Sequence, residues 1–128
     1  MAKKRILLID DEKSLTSLLK LNLEETGNYE VRVENWPEDS LKAAREFKPD
    51  LILLDIIMPR MPGGNVAAII DSDPELKGTP IVFLTAAVRK QNIEDHEGII
   101  CDHPCLAKPA TVEEVVAMIE QHARSSAS

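Results

Sequence analysis

The sequence predicts an α/β domain built on a doubly wound, five-stranded parallel sheet with helices on both faces, and three observations carry that prediction. Short apolar runs recur at Ile6–Ile9, Leu51–Leu54 and Ile81–Leu84, each bounded by charge or a turn residue. Such runs are the pattern of strands buried on both sides. Between them lie stretches with apolar residues three and four apart, the signature of amphipathic helices. Strand and helix alternate about five times, and parallel neighbours need crossovers of that kind.

Taken in order, Ile6–Ile9 forms the first strand and runs into Asp10, Asp11 and Glu12. Leu15, Leu18, Leu19 and Leu23 then share a helix face, with Gly27 as its stop. Tyr29–Val33 alternates as a second strand, and Trp36 is read as an edge-packing residue. Leu41, Ala44 and Phe47 follow Pro37, whose fixed φ suits a first helical turn. Leu51–Leu54 leads into Asp55; Met58-Pro59 and Gly63-Gly64 then turn the chain into a helix marked by Val66, Ile69 and Ile70. Thr85 ends the fourth strand. From Val88 to Pro104 the helical period is weak and Gly98 interrupts it, so a short or irregular helix is expected. Cys105–Ala107 is the fifth strand. Thr111 and Glu114 have the spacing of a capping box, opening a helix with Val112, Val115, Val116 and Ile119 on its apolar face and an end near Ala123. One domain over residues 4–123 and a disordered tail over 124–128 are expected.

Composition narrows the function. A chain of 128 residues closes one hydrophobic core and leaves little for a second. No apolar run approaches the roughly 20 residues that span a bilayer. The basic start is followed by only four apolar residues before the acids, too few for a signal peptide. Two cysteines make no disulfide framework, so a soluble cytoplasmic protein is expected. The net charge of −7 lacks the basic footprint of a nucleic-acid binder. Proteins and cations are the expected partners, with no direct nucleic-acid contact and no membrane.

Asp55 is the residue that asks for a function, because an unpartnered carboxylate at the end of a buried strand is costly. In open α/β sheets, ligands bind beyond the carboxyl ends of the strands. Asp10 and Asp11 end the first strand there, Asp55 the third and Thr85 the fourth, while Lys108 follows the fifth. Three neighbouring carboxylates either take up protons or enclose a cation, and an all-oxygen donor set suits Mg²⁺. Taken singly, each residue has a plainer reading: Asp10, Asp11 and Glu12 as helix-start acids, Thr85 as a strand-end hydroxyl, Lys108 as a solvated lysine. His96, Cys101, His103 and Cys105 cluster within ten residues, but their spacing matches no usual zinc motif. A Cys101–Cys105 disulfide requires a turn, since four extended residues span ~13 Å.

Four segments, "LLIDDE", "LILLDIIMPRMPGG", "FLTAA" and "LAKPA", stand in this order, each at the end of an expected strand. With them the chain resembles the receiver domain of two-component response regulators, from about Lys4 to Ala123. The resemblance implies a flavodoxin-like sheet of order 2-1-3-4-5. It implies that Asp55 is the phosphoacceptor, and that Asp10, Asp11, Asp55 and the backbone carbonyl of Ile57 hold Mg²⁺. Thr85 is then the hydrogen-bond partner of the phosphoryl group and Lys108 its counter-charge, aimed by a cis Lys108-Pro109 bond. The phosphoryl donor is a histidine kinase or a histidine phosphotransfer protein. By the same resemblance the chain is no enzyme beyond its own phosphorylation and dephosphorylation. Its output runs through an unknown downstream protein or onward phosphotransfer, as a monomer or a phosphorylation-dependent dimer.

Two departures qualify the resemblance. Cys105 stands where the family usually has Tyr or Phe, and the 88–104 segment lacks the regular helical pattern, so an altered output is expected. Ile57 and Ala87 offer nothing to orient an attacking water, so slow dephosphorylation is expected. Three other readings remain: a receiver-shaped module that binds without phosphate, a flavodoxin-like FMN carrier, and a dehalogenase-like phosphatase. The FMN carrier would need a glycine- and hydroxyl-rich loop where "DDEKSLT" stands. The phosphatase would carry a second acid at the position of Ile57.

Overall fold

The computed structural model describes residues 3–85, 99–100, 103–108 and 110–123, with Thr85, Ile99 and Ile100 described by their backbone alone. The elements are β1 (Lys4–Ile9), α1 (Lys13–Glu25), β2 (Tyr29–Glu34), a 3-10 turn (Pro37–Asp39), α2 (Ser40–Phe47), β3 (Leu51–Asp55), α3 (Gly63–Ser72), β4 (Ile81–Thr85), β5 (Ile99–Ile100), β6 (His103–Ala107) and α4 (Val112–His122). The sheet order is β2-β1-β3-β4-β6-β5. Its first five members are all parallel and give the expected 2-1-3-4-5 arrangement, with β6 as the fifth parallel strand.

β5 is an addition to that expectation, a two-residue strand antiparallel to β6 that pairs Ile99 with Pro104. The reason it escaped is local. Pro104 lacks a donor and demotes the run around it, so the fifth strand reads as starting at Cys105. Pairing with β4 does begin at Cys105, opposite Phe83.

Alternation along each central strand sorts side chains onto two apolar layers. Leu7, Ile9, Ile52, Leu54, Ile81 and Phe83 face α2 and α3, where Ala43, Ala44, Val66, Ala67 and Ile70 meet them. Ile6, Leu8, Leu51, Leu53, Val82 and Leu84 face α1 and α4, against Leu19, Leu23, Val115 and Ile119. Burial on both faces explains the unbroken apolar runs Ile6–Ile9 of β1 and Leu51–Leu54 of β3.

Two helix faces and one helix start differ from expectation. Leu18 is 56% exposed and Thr16 takes a buried place on α1 beside Leu19 and Leu23. Ile69 is 43% exposed, and α3 buries Val66, Ala67 and Ile70. Pro37 opens the 3-10 turn, and α2 starts only at Ser40. The last helix has the expected cap: Glu114 N–H donates to Thr111 Oγ1 at 3.1 Å and Thr111 N–H to Glu114 Oε1 at 3.0 Å. It is tied to the sheet by Tyr29, whose hydroxyl donates to Glu120 at 2.6 Å, and by the Lys4–Glu120 ion pair at 3.1 Å. Within the segment from Val88 to Pro104, where an irregular helix is expected, the described residues Ile99–Ile100 and His103–Pro104 lie in strands; the remainder of that segment, the Lys108-Pro109 bond and the 124–128 tail lie outside the described residues.

Candidate functional site

Parallel strands deliver all their carboxyl ends to one edge, and the acids gather there. Asp10 follows β1 and is 1% exposed, Asp55 closes β3 at 6%, and Asp11 is open to solvent. One carboxylate oxygen from each of the three lies within 4.8 Å of the others. Lys108, just past β6, donates to Asp10 Oδ2 at 2.7 Å and stands 3.6 Å from Asp55 Oδ1. Asp10 Oδ1 accepts from the Glu12 N–H at 3.0 Å. Thr85 ends β4 on the neighbouring strand, one residue past Leu84, the partner of Asp55.

Crowding sets the electrostatics. Burial, then the charge of Asp10, pushes the Asp55 carboxyl up to about 6 from 3.8; Lys108 and the Ile57 N–H pull the other way, and Asp11 adds a small upward push. Burial works against the Lys108 charge, yet its hydrogen bond to Asp10 and the charges of Asp10, Asp55 and Glu12 outweigh it and raise the pKa. Three carboxylates against one ammonium leave an excess of negative charge in a partly dry pocket. The donors are all oxygen, so the residues present fit Mg²⁺.

The loop after β3 approaches closely enough to require glycine. A Cβ on Gly63 would lie 2.2 Å from the Asp55 carbonyl oxygen. Its N–H donates to the Ile56 carbonyl at 2.7 Å, which starts α3 directly beneath the site. Ile57 is 61% exposed on this loop.

The structure thus brings together Asp10, Asp11, Asp55 and Lys108, with Ile57 beside them and Thr85 placed by its backbone. The His/Cys cluster does not assemble from the residues described. His103 bonds Asp71 at 2.8 Å and meets Phe83 edge-on, while Cys105 is buried in the core, where burial pushes its thiol up. His96 and Cys101 lie outside the described residues.

Sequence reasoning missed Asn35. The Asn35 amide donates to the Asp10 carbonyl at 2.7 Å and to Thr16 Oγ1 at 3.0 Å. Trp36 is 44% exposed, with the Arg60 guanidinium 4.4 Å from its ring centre. An amide at a strand end beside the acids was the available signal.

Comparison with known proteins bears on the family and the fold. The family model for the response regulator receiver domain matches residues 6–120. The alkaline phosphatase synthesis transcriptional regulatory protein PhoP of Bacillus subtilis is 41% identical over 83 residues, which are 65% of this chain and 33% of that protein. The DNA-binding dual master transcriptional regulator RpaA of Synechocystis is 34% identical over 119 residues, 90% of this chain and 47% of that protein. The chain spans a third to a half of the length of these relatives. A putative response regulator from Chloroflexus aurantiacus superposes with a TM-score of 0.79 at 27% identity, covering 94% of this chain and 97% of that one. The Vibrio cholerae chemotaxis protein CheY4 superposes at 0.80 over 94% of this chain and 98% of its own, and at 24% identity it speaks to the fold alone. With the sheet order, the acidic edge and a family match that covers nearly all of its length, the chain belongs to the response regulator receiver domains of two-component signalling systems.

Proposed function

We propose that this domain is a phosphorylation-dependent switch that accepts a phosphoryl group on Asp55 from a histidine kinase or a histidine phosphotransfer protein. The observation that carries the reading is the meeting of Asp10, Asp11 and Asp55 within 4.8 Å, with Lys108 3.6 Å from Asp55. Asp10, Asp11, Asp55 and the Ile57 carbonyl are assigned to Mg²⁺, which supplies positive charge to the phosphoryl oxygens when bound. Asp55 is the nucleophile: one carboxylate oxygen forms the new bond to phosphorus as the donor's phosphorus–nitrogen bond breaks, its electron pair leaving with the imidazole. The Ile57 N–H favours the charged form of the Asp55 carboxylate. Lys108 lies close enough to both acids to exchange Asp10 for a phosphoryl oxygen. Thr85 is assigned the remaining hydrogen bond from its place at the end of β4. Such transfer depends mostly on position and charge, which these residues supply.

We assign the domain to the cytoplasm and its output to protein contact or onward phosphotransfer. Several relatives are named DNA-binding regulators, and this chain matches only a third to a half of their length. The test is intact-protein mass after incubation with acetyl phosphate, with and without Mg²⁺, for wild type and Asp55→Ala. A Mg²⁺-dependent gain of about 80 Da, labile to hydroxylamine and lost in the variant, is expected for an aspartyl phosphate. A gain that survives Asp55→Ala would overturn the assignment.

A further inference from the structure

Asn35–Glu38, the turn between β2 and α2, supplies none of the assigned cation ligands, yet it touches both loops that do. We propose that this turn is a brace that holds the loops after β1 and β3 in register for the cation, with Asn35 and Trp36 as positioning residues. The proposal rests on the reading that the three acids bind a divalent cation.

The first arm is Asn35. Its amide donates to the Asp10 carbonyl at 2.7 Å and to the Thr16 hydroxyl at 3.0 Å. That hydroxyl donates in turn to the Lys13 carbonyl at 3.0 Å in the first turn of α1. Both amide hydrogens are therefore committed, one to the end of β1 and one to the start of α1. The Asp10 main chain is fixed from behind while Glu12 and Lys108 hold its carboxylate in front. Thr16 is 1% exposed, so this arm is shielded from competing water.

The second arm is Trp36. Arg60 belongs to the loop that carries Ile57, and its guanidinium lies 4.4 Å from the centre of the Trp36 ring. Arg60 Nη1 also reaches Glu38 Oε2 at 2.8 Å, so one side chain is gripped twice by the same short turn. Lys13 approaches the ring at 5.7 Å from the β1–α1 side. An exposed ion pair alone would hold little, but a guanidinium stacked on an indole adds a directional contact. Pro37, buried and fixed in φ, stiffens the turn between the two arms. Trp36 and Arg60 also wall a cleft of about 210 Å³ that Asp11 lines, which joins this arm to the exposed acid.

The need for a brace follows from the charges. Three carboxylates within 4.8 Å push one another apart before a cation arrives, and the loops that carry them have to resist spreading. Groups that orient metal ligands typically alter affinity by about 10-fold or more when removed.

The test is the Mg²⁺ dissociation constant, read from backbone amide shifts of Glu12 and Ile57, for wild type, Asn35→Ala, Trp36→Ala, Trp36→Phe and Arg60→Gln. Arg60 is a surface side chain, so its variant keeps the test open if either alanine change impairs folding. Expected are about 10-fold weaker binding for Asn35→Ala, Trp36→Ala and Arg60→Gln, and binding within about threefold of wild type for Trp36→Phe, which keeps an aromatic face. A purely structural role for Trp36 would not be rescued in this way. Wild-type affinity in folded Asn35→Ala and Arg60→Gln overturns the brace and leaves the phosphorylation reading standing. A wild-type protein with no Mg²⁺ response overturns both.

Discussion

Asp55 explains itself through the cost of its own charge. Its carboxyl is pushed up to about 6 in the folded chain, against 3.8 when unperturbed. Above pH 6 the metal-free native state therefore carries a charge that the unfolded chain carries more cheaply. As pH falls through 6 toward 4, the native state takes up the proton first, and this destabilisation disappears. Asp55→Asn removes the charge while keeping the shape. In chelator at pH 7.5 it is expected to be more stable than wild type by about 1 to 2 kcal/mol, less than the full shift implies because water reaches the pocket. Urea unfolding at pH 7.5 and pH 4.5 checks this: the gain shrinks at the lower pH, and a variant no more stable than wild type at pH 7.5 contradicts it. Gly63 makes a second point about single residues. Gly63→Ala places a methyl group against the Asp55 carbonyl and is expected to cost about 1 to 3 kcal/mol, seen as a lower urea midpoint.

Strands, helices and turns were legible in proportion to how local their cause is. β1 and β3 declare themselves because burial on both faces makes Ile6–Ile9 and Leu51–Leu54 apolar throughout. The α4 cap declares itself because Thr111 and Glu114 complete it within four residues. Thr111→Ala is accordingly expected to cost about 1 kcal/mol, measurable by urea denaturation. Leu18 and Leu19 are adjacent on a helix whose apolar stripe is wide enough to admit both, and docking on the sheet decides that only Leu19 is buried. The Asn35–Asp10 bond joins residues 25 apart and leaves no periodic trace in the sequence. β5 was hidden by the proline opposite it. The Tyr29–Glu120–Lys4 contact links the sheet edge to α4 across the whole chain, and no short-range rule reports such a pair.

The domain as a whole divides its work between a two-layered core and one polar edge. The core is apolar on both sides of the sheet and sets where the strand ends lie. The edge carries the acids, Lys108 and the turn that supports them. Because the acids stand on different strands, their convergence followed from topology once alternation had fixed a parallel sheet, and so most of the site was legible before any coordinates. Ile57 is exposed beside Asp55 and offers no acid or amide to direct water, so the phosphorylated domain is expected to lose its phosphate slowly in isolation. Phosphate release from purified, phosphorylated protein in Mg²⁺ measures this, and rapid release contradicts it. The proposed switch turns on Asp55 forming the acyl phosphate. Borohydride reduction of phosphorylated protein, followed by peptide mass spectrometry, identifies the modified residue, because an acyl phosphate on aspartate is reduced to homoserine. Homoserine at position 55 and nowhere else is the expected result; reduction at Asp10 or Asp11, with residue 55 still aspartate, would contradict the assignment.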